Sequence, residues 1–155
     1  METRNEKQTS NVNDLLCDAR MLLEDRLTDE VRLDWRLQDV PPVACSTNQM
    51  TTVFSSLLAN AIAALDGKGS IEVISGASNG SVEVTIRDNG HGMDAEDVAT
   101  IFDPSFKVQQ GRVLGGNWSL FTARQIVNEH GGDIWIESRK GAGTTAYVAL
   151  PALKS

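Results

Sequence analysis

The chain has 155 residues and a mass of 16.8 kDa, which fits one domain and excludes a second sizeable one. Hydrophobic residues make up 41% of the sequence, beside 13 glycines and 4 prolines, so the composition is globular and excludes a low-complexity chain. Acidic residues number 21 against 14 basic ones, giving a net charge of −7. This charge argues against nucleic acid as a partner, and a polyphosphate ligand would need local hydrogen-bond donors.

The cysteines and the apolar runs indicate the compartment. Cys17 and Cys45 stand apart without metal-ligand spacing, which is typical of a reducing compartment, the cytoplasm by default, and predicts no structural zinc. The longest nearly apolar run, Leu57–Leu65, is far shorter than the roughly 20 residues of a membrane span. No membrane insertion of this chain is therefore predicted, although a longer parent protein could carry an anchor. Residues 1–10 are predicted to be a disordered leader, and residues 11–155 to be the folded domain.

Two elements are predicted in the first 42 residues. Asn13 is expected to cap a helix, because apolar residues recur every three or four positions at Leu15, Leu16, Ala19, Leu22 and Leu23. Apolar and polar residues then alternate over Val31–Leu37, which is the period of a strand with one buried face. Pro41 and Pro42 end that strand.

The strongest helical pattern begins at Ser46. Ser46 and Gln49 have the spacing of a capping box, and apolar residues recur at helical spacing from Met50 until Gly67. Two strands, residues 71–74 and 82–86, are predicted to follow. They are joined across Ser78-Asn79-Gly80, where Asn-Gly supplies the positive φ that a tight hairpin prefers.

No regular period appears from Asp88 to about Asn117, and the glycines there predict a long mobile loop that covers a site. A third helix is predicted from Leu120 to about His130, followed by strands near residues 134–137 and 144–150. This order predicts an α+β two-layer sandwich with three helices on one face of a mixed, mostly antiparallel sheet.

Two polar residues could carry chemistry. Asn60 lies on the flank of the second helix, where its carboxamide oxygen could ligate Mg²⁺, although a bond to neighbouring backbone is the favoured interpretation of Asn60 alone. Asp88 opens Asp-Asn-Gly-His-Gly-Met, where two glycines let the backbone approach a flat ring and a carboxylate can accept from an exocyclic amine. An ordinary Asp-Asn-Gly turn explains this block equally well. No glycine run has the spacing of a P-loop or dinucleotide fingerprint.

Four blocks in a fixed order carry a family resemblance. They are residues 56–61 (SLLANA), 88–93 (DNGHGM), 101–106 (IFDPSF) and 115–132, from Gly115 to Gly132. Together they resemble the ATP-binding catalytic domain of sensor histidine kinases, of the Bergerat or GHKL class. The resemblance covers nearly all of the chain, from about Val12 to Pro151.

The resemblance implies a site for ATP and Mg²⁺. Asn60 would coordinate the Mg²⁺ that bridges the phosphates, Asp88 would bind the adenine amino group, and Gly90 and Gly92 would shape the pocket. Residues from about Met93 to Gly116 would form an ATP lid, anchored by Phe102 and Phe106. The other positions implied in nucleotide binding are Met93, Lys107, Arg112, Gly115, Gly116, Leu120 and Thr144. Of these, the lid cations Lys107 and Arg112 could equally be solvated, and Thr144 could be an ordinary cross-strand threonine.

The resemblance also implies a reaction and partners. Such kinases transfer the γ-phosphoryl group of ATP to a histidine on a separate helical dimerisation domain, and then to an aspartate of a response regulator. Neither His91 nor His130 is followed by the Glu and Pro typical of the phosphorylated block. The acceptor is therefore expected elsewhere, and the chain is expected to be the catalytic fragment of a longer sensor kinase.

Some positions depart from the family pattern. Asn117, Trp118 and Ser119 interrupt the last glycine block, which raises the alternative of a degenerate domain that binds no nucleotide and serves as a docking or phosphotransfer scaffold for a response regulator. A free-standing serine kinase of an anti-sigma pathway is a third possibility. Ser56 stands where the related gyrase, chaperone and mismatch-repair ATPases carry a water-activating Glu, so slow intrinsic hydrolysis is expected.

Overall fold

The computed structural model describes residues 7–102, 107–109, 112–114 and 118–153. The helices in this part of the chain are α1 (Val12–Leu22), α2 (Thr47–Ala64), α3 (Ala95–Thr100) and α4 (Trp118–Glu129), with a 3₁₀ turn at Glu24–Arg26. The strands are β1 (Gln8–Ser10), β2 (Val31–Leu37), β3 (Val43–Cys45), β4 (Gly69–Ser78), β5 (Ser81–Asp88), β6 (Lys107–Gln109), β7 (Arg112–Leu114), β8 (Asp133–Arg139) and β9 (Gly143–Pro151).

Five strands form the central sheet in the order β2-β4-β5-β9-β8. β2 runs parallel to β4, and the other three pairs are antiparallel, which confirms the mixed, mostly antiparallel sheet. Asn79 and Gly80, with φ of 52° and 80°, make the turn between β4 and β5, as the Asn-Gly pair predicted. β1 pairs with β3 and β6 pairs with β7 in two smaller sheets.

The core lies between one face of the central sheet and the helices. Side chains alternate between buried and more exposed along β4, β5 and β9, because successive residues of a strand point to opposite faces. α2 occupies the centre of the helical layer, where it contacts α1, α4 and β5. Each large apolar side chain buried here stabilises the fold by about 1.5–3 kcal/mol. No helix in the described residues is both long and apolar enough to span a bilayer.

The prediction that Asn13 caps the first helix is wrong. Asn11 is the cap, because its side-chain oxygen accepts from the backbone N–H of Asn13 at 2.9 Å. The Asn13 carboxamide instead donates to the carbonyl oxygen of Gln38 at 2.8 Å. At α2 the predicted cap is confirmed, since the Ser46 hydroxyl accepts from the backbone N–H of Gln49. The backbone N–H of Ser46, which a capping box would pair with the Gln49 side chain, donates instead to Nε2 of His130 at 3.1 Å.

The segments expected to lack regular structure contain short elements. Residues 8–10 of the predicted leader form β1, and the predicted loop after Asp88 contains α3, β6 and β7. α3 has six residues, and Asp94 caps it by accepting from the backbone N–H of Asp97 at 2.9 Å. A helix of fewer than two turns is too short to display a helical period, so sequence periodicity could not reveal it.

Candidate functional site

Asp88 occupies a core position at the end of β5. The residues before it on the same face of the strand, Val84 and Ile86, are buried, and Asp88 is itself only 6% exposed. Its Oδ1 accepts from the backbone N–H of Gly90 at 2.9 Å. Burial raises the pKa of the Asp88 carboxyl, while backbone N–H groups of Gly90 and Thr144 and the charge of His91 act in the opposite direction. β5 therefore places the Asp88 carboxylate beside apolar side chains on the core face of the sheet.

Asn60 lies on the face of α2 that lines a cavity. It shares that face with Leu57, Ala61 and Ala64, since residues three and four apart lie on the same side of a helix. The Asn60 Nδ2 atom is buried and has no hydrogen-bond partner in the described part of the chain. The expected bond to neighbouring backbone is therefore not formed by this atom. A buried polar group left unpaired costs about 1–3 kcal/mol, which marks the carboxamide as available to a ligand.

Asn60 and Asp88 line the same cavity, which has a volume of about 220 Å³. Three more residues predicted for nucleotide binding line it as well, namely Met93, Leu120 and Thr144. The rest of the wall is largely apolar and includes Ile86, Ile101, Ile136 and Ala146. An apolar cavity with a few convergent polar groups is typical of a small-molecule site.

The glycine loop, residues 88–93, forms part of the cavity wall and packs closely against the backbone of neighbouring segments. A Cβ atom at Gly90 would collide with the carbonyl oxygen of Ala64 at the end of α2. Gly92 has a φ of +71°, and a Cβ there would collide with the carbonyl oxygen of Arg139. Glycine is required at both positions because backbone approaches backbone directly. Neither glycine lines the cavity itself, but both allow the loop that carries His91 and Met93 to do so.

Several residues of this site had no signal in the sequence. Ser138 on β8 accepts a hydrogen bond from the backbone N–H of Met93 at 2.8 Å, although the two residues are 45 positions apart. Ile136 and Ala146 look like ordinary members of alternating strands and line the cavity only because β8 and β9 lie beside β5.

Phe102, predicted as a lid anchor, is half-buried against the core beneath the Arg124 guanidinium, 5.3 Å from the ring centroid.

Other predicted site features lie outside the described residues. They are the side chains of Lys107, Arg112, Trp118 and Ser119, and the whole of Phe106, Gly115, Gly116 and Asn117. No cluster of three or more His, Cys, Asp or Glu side chains suited to a metal ion occurs among the described residues. Among the described residues that line the cavity, the Asn60 carboxamide offers an oxygen of the kind that a hard divalent cation takes.

Residues 45–154 match the sequence model of the histidine kinase-, DNA gyrase B- and HSP90-like ATPases. Sporulation kinase E of Bacillus subtilis (strain 168) is 31% identical over 116 residues, which cover 74% of this chain and 15% of that protein. Sensor histidine kinase ZraS of Escherichia coli (strain K12) is 31% identical over 147 residues, which cover 93% of this chain and 31% of that protein. The chain thus spans less than a third of the length of these relatives.

Solved structures match over almost the whole chain. The nucleotide-free catalytic domain of the histidine kinase ThkA superimposes with a TM-score of 0.82 and 25% identity, covering 95% of this chain and 96% of that one. ThkA in a complex with the response regulator TrrA gives a TM-score of 0.79 and 25% identity, covering 96% of this chain and 42% of that one.

Proposed function

Because the chain belongs to the histidine kinase-, DNA gyrase B- and HSP90-like ATPase family and has the fold of a histidine kinase catalytic domain, we propose that it is a protein-histidine kinase catalytic domain that uses Mg-ATP. It would transfer the γ-phosphoryl group to a histidine on a separate dimerisation domain. The observation that carries the proposal is the cavity that Asn60 and Asp88 line together. The Asn60 side chain comes from the helical layer and the Asp88 side chain from the sheet, so a ligand between them contacts both.

Asp88 suits recognition of adenine. A buried carboxylate can accept a hydrogen bond from an exocyclic amine, and such a charge-assisted bond is stronger than a neutral one. The apolar lining supplied by Ile86, Ile136 and Ala146 offers contact to a flat aromatic ring. Together these groups would select a purine that carries an amine at the edge facing Asp88.

Asn60 suits the metal end of the same ligand. Its carboxamide oxygen is the kind of hard donor that Mg²⁺ takes, with phosphate oxygens and water completing the coordination. Bound Mg²⁺ would offset the negative charge of the transferring phosphoryl group. This matters in a chain with a net charge of −7, which by itself repels a polyphosphate.

The acceptor histidine would lie outside the described residues. His130 is only 8% exposed, and both of its ring nitrogens are within hydrogen-bond distance of backbone atoms of Ser46 and Ile126. His91 lines the cavity, and its Nδ1 is 3.0 Å from the carbonyl oxygen of Gly92. We therefore propose a dimerisation domain as the phosphoryl acceptor and a response regulator receiver domain as the next one, in the cytoplasm, where ATP is available. The complex of ThkA with TrrA supports the second partner by similarity.

Nucleotide titration tests the first half of this proposal. Isothermal calorimetry with ATP and excess Mg²⁺ should show saturable binding, and GTP should bind more weakly because guanine presents a carbonyl where adenine presents its amine. No heat and no thermal shift at millimolar Mg-ATP would overturn the proposal and would favour the scaffold alternative.

Phosphoryl transfer tests the second half. The chain should label the histidine-bearing dimerisation domain of its own sensor kinase from γ-labelled ATP. The label should be lost in acid and kept in base, as expected for a phosphoramidate. Nucleotide binding without any labelling of that domain would leave an ATP-binding domain that is not a kinase.

A further inference from the structure

The Ser138 hydroxyl joins two segments of the cavity wall. Its oxygen accepts from the backbone N–H of Met93 at 2.8 Å, which holds the end of the glycine loop. The same oxygen lies 3.0 Å from the carbonyl oxygen of Gly143 and 2.7 Å from the Thr144 hydroxyl, at the start of β9. Met93 and Thr144 both line the cavity, whereas Ser138 does not.

The proton count around this hydroxyl determines what Thr144 offers to a ligand. A serine hydroxyl has one proton, so Ser138 donates either to the Gly143 carbonyl or to the Thr144 hydroxyl. In the first arrangement Thr144 donates to Ser138 and presents lone pairs to the cavity. In the second arrangement the Thr144 proton is free for a ligand acceptor. Rotation of two hydroxyl groups interconverts these arrangements, so Thr144 can serve as donor or acceptor without any movement of the backbone.

Ser138 also holds a part of the glycine loop that lies beyond the backbone bonds made by His91. The backbone N–H of His91 donates to Ala64 at 3.2 Å, and that of Gly141 donates to the His91 carbonyl at 2.8 Å. Those bonds fix the middle of the loop. The bond from Met93 to Ser138 fixes its last residue, directly before Asp94 caps α3.

We propose that Ser138 is a positioning residue for the nucleotide base, which acts by holding the Met93 backbone and the Thr144 hydroxyl against the ring that Asp88 binds. This inference rests on the proposed function. Within the described chain Ser138 has no bond to Asn60 or Asp88, so its loss should weaken binding of the base while the metal contact is retained. The Kd for adenosine, which has no phosphates, should therefore rise by the same factor as the Kd for Mg-ATP.

The test compares two serines with similar bonds at different places on the sheet. Ser75 is buried on β4, where its hydroxyl accepts from the backbone N–H of Gln38 at 3.1 Å and donates to Asn13 Oδ1 at 2.6 Å. It lies four residues along the strand from Ile71, the partner of Asp88, which corresponds to about 13 Å. Ser138→Ala should raise the Kd for adenosine and for Mg-ATP by about 5- to 10-fold. Ser75→Ala should lower the Tm and leave both Kd values unchanged.

A conservative variant and the full set of outcomes complete the test. Ser138→Thr keeps the hydroxyl and should restore most of the affinity. In phosphoryl transfer to the dimerisation domain, Ser138→Ala should raise the KM for ATP, while kcat stays close to that of the unmodified chain. If Ser138→Ala does not fold, Ser138→Cys, which keeps one polar hydrogen on a somewhat larger side chain with weaker hydrogen bonds, replaces it in the same comparison. Unchanged Kd values at Ser138, or an equal rise in Ser75→Ala, would overturn this inference alone. Absence of nucleotide binding by the unmodified chain would overturn both this inference and the proposed function.

Discussion

The imidazole of His130 accepts the backbone N–H of Ser46 at Nε2, over a distance of 3.1 Å. Its Nδ1 lies 2.7 Å from the Ile126 carbonyl oxygen, so the proton of the neutral ring is on Nδ1. Ser46 caps α2, and His130 directly follows α4. One side chain therefore connects the two helices that supply Asn60 and Leu120 to the cavity.

Replacing His130 should destabilise the domain. In His130→Ala the buried N–H of Ser46 loses its acceptor, which should lower the free energy of unfolding by about 1–3 kcal/mol. Urea denaturation of the unliganded chain measures this change. His91→Ala, at an exposed ring, is the matched control and should change stability far less. Equal stability of the His130 and His91 variants would contradict this account of the helix connection.

The buried Asp88 carboxylate should make stability depend on pH. Burial raises its pKa above the ordinary value of 3.8, so the folded chain binds this proton more tightly than the unfolded chain does. The resulting stabilisation is complete below the unfolded pKa and is lost as the pH rises through the raised folded pKa. Asp88→Asn stays neutral, so its stability relative to the unmodified chain should improve as the pH rises across that window.

Thermal unfolding of both chains from about pH 4 to pH 8 measures this difference. One part of the stability difference between the two chains does not depend on pH. It arises at the backbone N–H of Thr144, from which a carboxylate can accept a hydrogen bond and an amide NH₂ group cannot. The change of the stability difference with pH does not depend on this constant part. A stability difference that does not change with pH would show that the Asp88 carboxyl titrates alike in both states.

The same substitution should weaken nucleotide binding. In Asp88→Asn the Gly90 N–H keeps the carboxamide oxygen of the new side chain occupied, so its NH₂ faces the adenine amine and two donors oppose each other. Loss of a charge-assisted bond predicts a rise in the Kd for ATP of about 10- to 100-fold. Calorimetric titration measures it. Asp34→Asn, on the other face of the sheet, is the control and should bind ATP like the unmodified chain.

Removing the Asn60 carboxamide should separate metal-dependent from metal-independent binding. Asn60→Ala should reduce the gain in ATP affinity that Mg²⁺ produces by about tenfold or more, and leave affinity in the presence of a chelator unchanged. The Tm should not fall, because the variant loses a buried Nδ2 that has no partner in the described chain. Asn48→Ala, at an exposed position in the first turn of α2, should affect neither property. An Mg²⁺ effect of normal size in Asn60→Ala would remove Asn60 from the metal site.

Gly90 should tolerate no side chain. The added Cβ in Gly90→Ala would collide with the Ala64 carbonyl oxygen, so the glycine loop or the end of α2 has to shift, at a cost of about 1–3 kcal/mol. Nucleotide binding should weaken as well, because Ala64 and Asp88 both line the cavity. In Gly76→Ala the nearest atom to the new Cβ is 3.5 Å away, so this control should be neutral or slightly stabilising. Urea denaturation measures the free energy of unfolding of the two variants, and calorimetric titration measures their Kd for ATP. Equal values for Gly90→Ala and Gly76→Ala would contradict this prediction.

Local patterns were sufficient for several parts of this protein. α2 was predictable because an 18-residue helix repeats its apolar face several times and begins at a recognisable cap. The hairpin at Asn79-Gly80 was predictable because its turn chemistry is contained in two adjacent residues. Local pattern alone was not sufficient for Asn60 and Asp88, since an ordinary helix or turn contact explains each of them at least as well. Their role in binding was predicted from the family resemblance that four ordered blocks carry, and it stays a prediction. Their presence in one cavity follows from the packing of α2 on β5.

Tertiary structure alone decided the contacts between distant segments. The Ser138 hydroxyl reaches Met93 only because the order β5-β9-β8 places β8 beside the strand that carries Thr144. Asn11 rather than Asn13 caps α1, and the side-chain oxygen of Asn13, which a cap would use, accepts instead from the Ser75 hydroxyl, 62 positions away. The sequence around a single serine or asparagine does not show whether its side chain has a hydrogen-bond partner in a distant segment. Hydrogen bonds between remote segments depend on where the chain brings those segments together, and no short window of sequence contains that information.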